Sequence, residues 1–126
     1  MPKKSIAAQN APKPIGPYSQ SVAAGGLLFI SGQLPADPKT GALVEGGIAA
    51  QTERALKNVQ AILEAAKLGP GAVVRTTIYL TDLADFKQVN EVYGAFFSKE
   101  APARSTVQVA GLPAGARIEI DAIATF

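Results

Sequence analysis

The sequence predicts an α+β fold, a mixed sheet with two helices packed on one of its faces. Two stretches, 48–68 and 82–97, carry apolar residues at helical spacing, and strand-like segments lie before, between and after them. The predicted order is two strands, a third strand, a helix, a strand, a helix and two strands. Several strands are apolar on both sides, so the helix-free face needs a cover too. We therefore expect the 126 residues to form one domain of an oligomer.

The N-terminal third of the chain is predicted to be loops and strands. Residues 10–17 contain three prolines and a glycine and are predicted to form an ordered loop. Two strands are predicted at 21–24 and 26–33, with Gly25-Gly26 as the tight turn between them. Residues 35–47 are predicted to form a turn-rich loop.

The first helix is predicted from Ile48 to Leu68, where apolar residues recur every three or four positions with charged residues opposite. Gly69 is predicted to be its left-handed cap, and Pro70 stops it. The β-branched segment 72–81 is the strand that follows.

The second helix is predicted to begin at Asp82, an N-cap residue with Asp85 three positions later. Its apolar residues form one stripe, which we interpret as core and not as a cofactor site. They are Phe86, Val89, Tyr93, Phe96 and Phe97. Pro102 then closes this unit, and two strands complete the chain.

The composition restricts the chemistry. Without histidine or cysteine, the common general base, the common metal ligands and the thiol nucleophile are all missing, so we expect no metal site. The net charge is only +2, which makes nucleic acid an unlikely partner, and no segment is apolar for long enough to cross a membrane. Cytoplasm is the expected location.

Two charged residues near the C-terminus, Arg104 and Glu119, are candidates for a functional site. Apolar and polar residues alternate in the last strand, which places Glu119 away from the core. In the preceding strand Val107 and Val109 are predicted to point inward. The polar residues there would then share the outward face with Glu119, namely Arg104, Thr106 and Gln108.

A simple hairpin of these two strands cannot bring Arg104 and Glu119 together. Glu119 would oppose Gln108, and Arg104 would lie roughly 13 Å away at about 3.4 Å per residue. Either the last strand pairs elsewhere in the sheet, or a site is completed across a subunit boundary. An arginine fork matches a planar carboxylate or a phosphate, so a small anionic ligand is expected.

The chain resembles the RidA (YjgF) family of imine deaminases over nearly its whole length. The motifs that carry the resemblance are Gly16-Pro17-Tyr18, Ser31-Gly32-Gln33-Leu34-Pro35, the predicted helix 82–97, Pro102-Ala103-Arg104-Ser105 with Val107, and Ile118-Glu119-Ile120. The resemblance implies a chorismate mutase-like (YjgF-like) fold with a six-stranded mixed sheet. It also implies a last strand inserted between earlier ones, and a homotrimer with a barrel-like interior and clefts between subunits.

The activity that the resemblance implies is the hydrolysis of enamine and imine acids, such as 2-aminoacrylate, to 2-keto acids and ammonia without a cofactor. Arg104 would bind the substrate carboxylate, and Glu119 would handle the attacking water. The implied substrate-binding residues are Tyr18, Ser31, Gly32, Asn90 and Thr106. Many relatives carry a cysteine at the position of Thr106, so no thiol role is expected there.

Plainer interpretations stay open for each residue. Glu119 could pair with Arg117 or Arg75 on a neighbouring strand. Loop aromatics and polar residues at element ends often serve local packing or backbone hydrogen bonds, which applies to Tyr18, Ser31 and Asn90. Two other functions also remain: an RNA-cleaving translation inhibitor, and a non-catalytic module that binds small carboxylates.

Overall fold

A computed structural model describes residues 2–126 and contains a six-stranded mixed sheet with two α-helices. In chain order the elements are β1 (Lys4–Ile6), β2 (Ser21–Ala24), β3 (Leu27–Gln33), α1 (Ile48–Ala65), β4 (Val73–Leu80), α2 (Phe86–Phe96), β5 (Ala103–Gln108) and β6 (Ile118–Thr125). The predicted α+β class is confirmed.

The sheet has the strand order β1-β2-β3-β6-β4-β5. Strands β4 and β5 are parallel, with α2 in the crossover between them, and the other neighbours are antiparallel. The last strand is thus inserted between β3 and β4. It pairs with β4 and not with β5, which leaves β5 at the edge of the sheet.

One strand of the predicted order is misplaced. The third strand expected before the first helix does not exist. Residues 35–47 form a loop, as predicted for that segment, and their only strand-like pairing is a bridge between Ala36 and Leu43. The sixth strand is β1 at the N-terminus, which pairs with β2. With three residues, β1 is too short for period-two alternation to reveal it.

Both helices cover one face of the sheet. The inward side chains of β4 and β6 are fully buried against α1, among them Ile78, Ile118 and Ile120. The other face keeps apolar side chains in contact with solvent: Phe29 on β3 is 43% exposed and Val107 on β5 is 41% exposed. This matches the expectation that the helix-free face needs a cover.

The ends of the helices differ from the prediction in two places. Lys67, with φ of 62°, is the left-handed residue after α1, and the Leu68 N–H donates to the Leu63 carbonyl at 2.8 Å. Gly69 has φ of −129° and is not the cap. Asp82 does cap, through the Ala84 N–H at 2.9 Å, but it caps a short 3₁₀ turn that precedes α2.

The predicted stripe on α2 is partly core. Val89, Tyr93 and Phe97 are buried, as predicted. Phe86 is 41% exposed, because it is the first residue of α2 and lies at the rim of the helix layer. Within residues 2–126, neither helix has the length and apolar content needed to cross a membrane.

Candidate active site

Arg104 lies on the edge strand β5, where its register partner on β4 is the fully buried Thr76. Its guanidinium carbon is 4.8 Å from the centre of the Tyr93 ring and 5.5 Å from that of Phe86. The Tyr93 hydroxyl is hydrogen-bonded to Thr76 at 2.6 Å, which fixes the ring under the cation. The guanidinium therefore rests on two aromatic faces of α2.

This location corrects the predicted face of β5. Arg104 and Thr106 point towards the helix layer, whereas Val107 points to the helix-free face. Glu119 is paired with Tyr79 on β4 and lies on the helix-free face, away from the core as predicted. Arg104 and Glu119 are consequently on opposite faces of one sheet, and a single protomer does not bring them together.

The surroundings of Arg104 contain further polar groups without partners. Within residues 2–126, Arg104 has no carboxylate within ion-pair distance. The Thr106 Oγ1 and the Asn90 Oδ1 are buried and find no hydrogen-bond partner among the described residues. Asn90 falls on the same side of α2 as Phe86 and Tyr93, at spacings of four and three residues.

We call this group the α2–β5 seam; its residues are Arg104, Thr106, Asn90, Phe86 and Tyr93. It presents a cationic fork with two buried polar atoms beside it. Groups of this kind are normally satisfied in a folded protein, so the seam is suited to a ligand that is anionic and can also hydrogen-bond.

Glu119 is the centre of a second group, which we call the Glu119 patch and which also contains Gly32, Tyr79 and Asp121. A side chain at residue 32 would collide with the carboxyl group, since a Cβ there would lie 2.8 Å from the Glu119 Cδ. Burial raises the pKa of Glu119 above its ordinary value, and the negative charge of Asp121 raises it further. Such a carboxyl is a good candidate for proton transfer.

The ion pairs of Glu119 that were left open as its plainer interpretation do not form. Arg117 instead binds Asp85 at the start of α2, at 2.8 Å, and Arg75 donates a hydrogen bond to the Ser105 hydroxyl at 3.0 Å. Within residues 2–126, no cation lies within ion-pair distance of Glu119. The same part of the chain contains no group of three acidic side chains placed to hold a metal ion.

Tyr18 and Ser31 lie near the Glu119 patch, but the Ser31 side chain is held by a hydrogen bond while the Tyr18 side chain is exposed. The Ser31 hydroxyl donates to the Ser19 carbonyl at 2.6 Å, so it serves the local backbone, which was the plainer interpretation. The Tyr18 ring is 52% exposed and lines a pocket of about 620 Å³ together with Gly32 and the tip of the loop at Pro113. An exposed tyrosine at a pocket wall can move against a ligand.

Tyr79 and Asp121 were not found from the sequence. Asp121 follows Glu119 by two residues, so alternation places both on one face. Tyr79 becomes a neighbour of Glu119 only because β6 pairs with β4, and no local pattern shows that pairing.

Comparison with known proteins identifies the family. Residues 8–126 match the family described as Endoribonuclease L-PSP. The chain belongs to this family, which is also called YjgF/RutC. The resemblance stated from the sequence is therefore confirmed.

Three family members illustrate how close the relation is. The chain is 52% identical to a 2-iminobutanoate/2-iminopropanoate deaminase from Salmonella typhimurium over 96% of both chains. The YjgF gene product from E. coli superimposes with a TM-score of 0.92 at 50% identity and covers 97% of this chain and 98% of its own. E. coli TdcF with bound serine gives a TM-score of 0.93 at 44% identity, with 98% of each chain covered.

Proposed function

We propose that this protein is a cofactor-independent hydrolase of enamine and imine acids. Its substrates would be 2-aminoacrylate, 2-iminopropanoate and 2-iminobutanoate, and its products the 2-keto acids and ammonia. The observation that carries the proposal is the α2–β5 seam, where the Arg104 fork lies on two aromatic rings and has no acidic partner in the described part of the chain. A relative named for this activity, at 52% identity over 96% of both chains, supports it.

We further propose that the protein acts as a homotrimer in which two protomers share each site. Arg104 and Glu119 lie on opposite faces of one sheet, so a second copy must supply one of them if both touch one substrate. The exposed apolar residues of the helix-free face, such as Phe29, favour such an assembly. Sedimentation equilibrium would test it, and a monomer at all concentrations would contradict the shared site.

The chemistry follows from the residues. Arg104 holds the substrate carboxylate with two parallel charged hydrogen bonds, and the Asn90 Oδ1 accepts from the substrate nitrogen. Glu119 takes a proton from water while the water oxygen bonds to the imine carbon. That proton passes to the nitrogen and gives a carbinolamine; an enamine acid reacts in the same way through its imine tautomer. Glu119 then takes the proton of the carbinolamine hydroxyl and passes it to the nitrogen, while the C=O bond forms and the C–N bond breaks to release ammonia and the keto acid.

The remaining residues assist this reaction. Tyr18 closes over the ligand from the pocket wall, and Gly32 leaves room for the Glu119 carboxylate. Thr106 offers its free hydroxyl beside Arg104, while Ser31 holds the strand end in place. Positioning supplies most of the rate enhancement, because an imine carbon is already electrophilic.

A trapping experiment tests the activity. A dehydratase that releases 2-aminoacrylate from serine is mixed with semicarbazide, and the semicarbazone yield is measured with and without this protein. We expect the wild-type protein to lower the yield and both Arg104→Ala and Glu119→Gln to lose this effect. An unchanged yield with wild-type protein would reject the proposal. In a cell, the activity would protect pyridoxal-phosphate enzymes from these intermediates.

Two other functions make different predictions in related assays. The family description names an endoribonuclease, and cleavage of messenger RNA by nuclease-free, metal-free protein would support that function instead. A pure binder of small carboxylates would retain pyruvate binding but show no turnover in the trapping assay. In the enzyme, Glu119→Gln should abolish turnover and keep pyruvate binding, since Arg104 remains.

A further inference from the structure

Three ionisable side chains meet on the helix-free face of the sheet. Tyr79 on β4 is the register partner of Glu119, and Asp121 lies two residues further along β6 on the same face. The Tyr79 hydroxyl donates a hydrogen bond to the Asp121 Oδ2 at 3.0 Å, diagonally across the two strands. Asp121 is thereby fixed next to Glu119 instead of turning to solvent.

Among residues 2–126 of one protomer, the other neighbours of Glu119 bring no compensating charge, and Arg117, two residues before it, is bound to Asp85. On β3 the adjacent residue is Gly32, which approaches the carboxyl group without a side chain. On β4 the residues that share this face are Tyr79, Thr77 and Arg75. Arg75 pairs with Ile123, two positions beyond Asp121, and its guanidinium is bound to Ser105.

Asp121 is therefore the charged group that acts most directly on Glu119. Its negative charge raises the pKa of Glu119 in addition to the effect of burial. The hydrogen bond to Asp121 is also the largest cause of the raised pKa of Tyr79, so the phenol stays protonated and continues to donate.

We propose that Asp121, held by the Tyr79 hydroxyl, is a positioning residue that sets the protonation of Glu119. It thereby allows this carboxyl group both to take a proton from water and to return it to the departing ammonia. The inference rests on the proposed function and adds two residues to it. An ordinary glutamate is a weak proton acceptor at neutral pH, and a neighbouring carboxylate strengthens it. Neither Tyr79 nor Asp121 needs to touch the substrate.

The first test measures Glu119 directly and needs no activity. The side-chain carboxyl carbons of ¹³C-labelled protein are followed by NMR during a pH titration, and Glu119→Gln identifies the Glu119 signal. We expect Asp121→Asn to lower the titration midpoint of Glu119 and Asp121→Glu to keep it raised. Glu53→Gln, which removes one exposed negative charge on α1, is the matched control and should leave the midpoint unchanged. An unchanged midpoint in Asp121→Asn would overturn the inference.

A double-mutant cycle tests whether the Tyr79 hydroxyl holds Asp121 in place. In a Tyr79→Phe background, Asp121 is no longer fixed, so Asp121→Asn should shift the midpoint less than it does in the wild type. An equal shift in both backgrounds would remove Tyr79 from the proposal. Because Phe keeps the ring, a loss of packing cannot account for the difference.

The second test uses the pH dependence of kcat/KM in the trapping assay. Asp121→Asn should move the acidic limb to lower pH by the same amount as the NMR midpoint, whereas a merely structural defect would lower the whole profile. An acidic limb that stays in place would overturn the catalytic part of the inference. If the NMR midpoints shift but no variant or wild-type protein has deaminase activity, the proposed function fails while the coupling stands.

Discussion

The α2–β5 seam and the Glu119 patch place charge in opposite environments. In the seam, a partly buried cation is supported by two aromatic faces, and none of the carboxylates within residues 2–126 lies within ion-pair distance of it. In the patch, a carboxyl group lies beside a second carboxyl group and is desolvated, so its charged form is disfavoured.

This difference indicates two separate tasks. The seam retains its positive charge and thus favours a ligand that brings a negative one. The patch holds its proton more tightly than a solvated glutamate does and favours proton exchange. In the proposed function, binding and proton transfer therefore belong to different faces of the sheet, and substitutions in each region should separate them.

Among substitutions that leave both Arg104 and Glu119 in place, the largest effect is expected from Gly32→Ala, which changes the patch alone. The new Cβ would collide with the Glu119 carboxyl group and displace it, so we expect kcat/KM to fall about 100-fold. Pyruvate binding at the seam should be retained. Gly69→Ala is the matched control, because a Cβ there meets nothing within 4 Å and φ is −129°. Equal activity in the two variants would show that the position of Glu119 does not matter.

The next largest effect is expected from Asn90→Leu, a substitution that changes the seam alone. Asn90→Leu removes the buried amide oxygen that has no protein partner, so KM should rise about 10-fold through the loss of a substrate hydrogen bond. The free energy of unfolding in urea should not fall, because replacing an unpaired polar group by an apolar one of similar shape is close to neutral. A large loss of stability with unchanged KM would instead make Asn90 structural.

The two regions also differ in how far the sequence predicts them. Strict alternation in β6 places Glu119 on the correct face, since the inward residues Ile118 and Ile120 are fully buried. In β5 the same rule fails. Val107 was assumed to point inward, but β5 is an edge strand whose apolar residue faces the open side of the sheet, while Arg104 lies on aromatic rings of α2.

The arrangement of the site depends on pairings that are distant in sequence. The insertion of β6 between β3 and β4 brings Gly32 and Tyr79 to Glu119 over separations of many residues. Periodicity reports only which side of a strand is buried and carries no information on which strand lies next to it. Only the resemblance to a known family supplied that order.

A smaller effect is expected from Phe86→Leu in the seam. The substitution keeps an apolar side chain but removes the ring face under Arg104, a contribution of about 0.5–1 kcal/mol. KM should therefore rise about 2- to 5-fold with kcat unchanged. Phe96→Leu, at the other end of α2, is the control and should leave KM unchanged. A loss of kcat in Phe86→Leu would mean that the seam does more than bind.

The smallest effect is expected in the free energy of unfolding of Glu119→Gln, a substitution in the patch. The raised pKa of Glu119 means that the folded state binds its proton more tightly than the unfolded chain does. Its contribution to the free energy of unfolding is therefore greatest at low pH and falls as the pH rises from the ordinary value of 4.5 through the raised one. Glutamine does not titrate, so Glu119→Gln should gain stability relative to wild type across this interval and keep that gain at neutral pH. Urea unfolding at a fixed protein concentration, from about pH 4 to about pH 7, measures the difference. Glu53→Gln should show no such gain, and a flat difference for Glu119→Gln would contradict a desolvated carboxyl group in the patch.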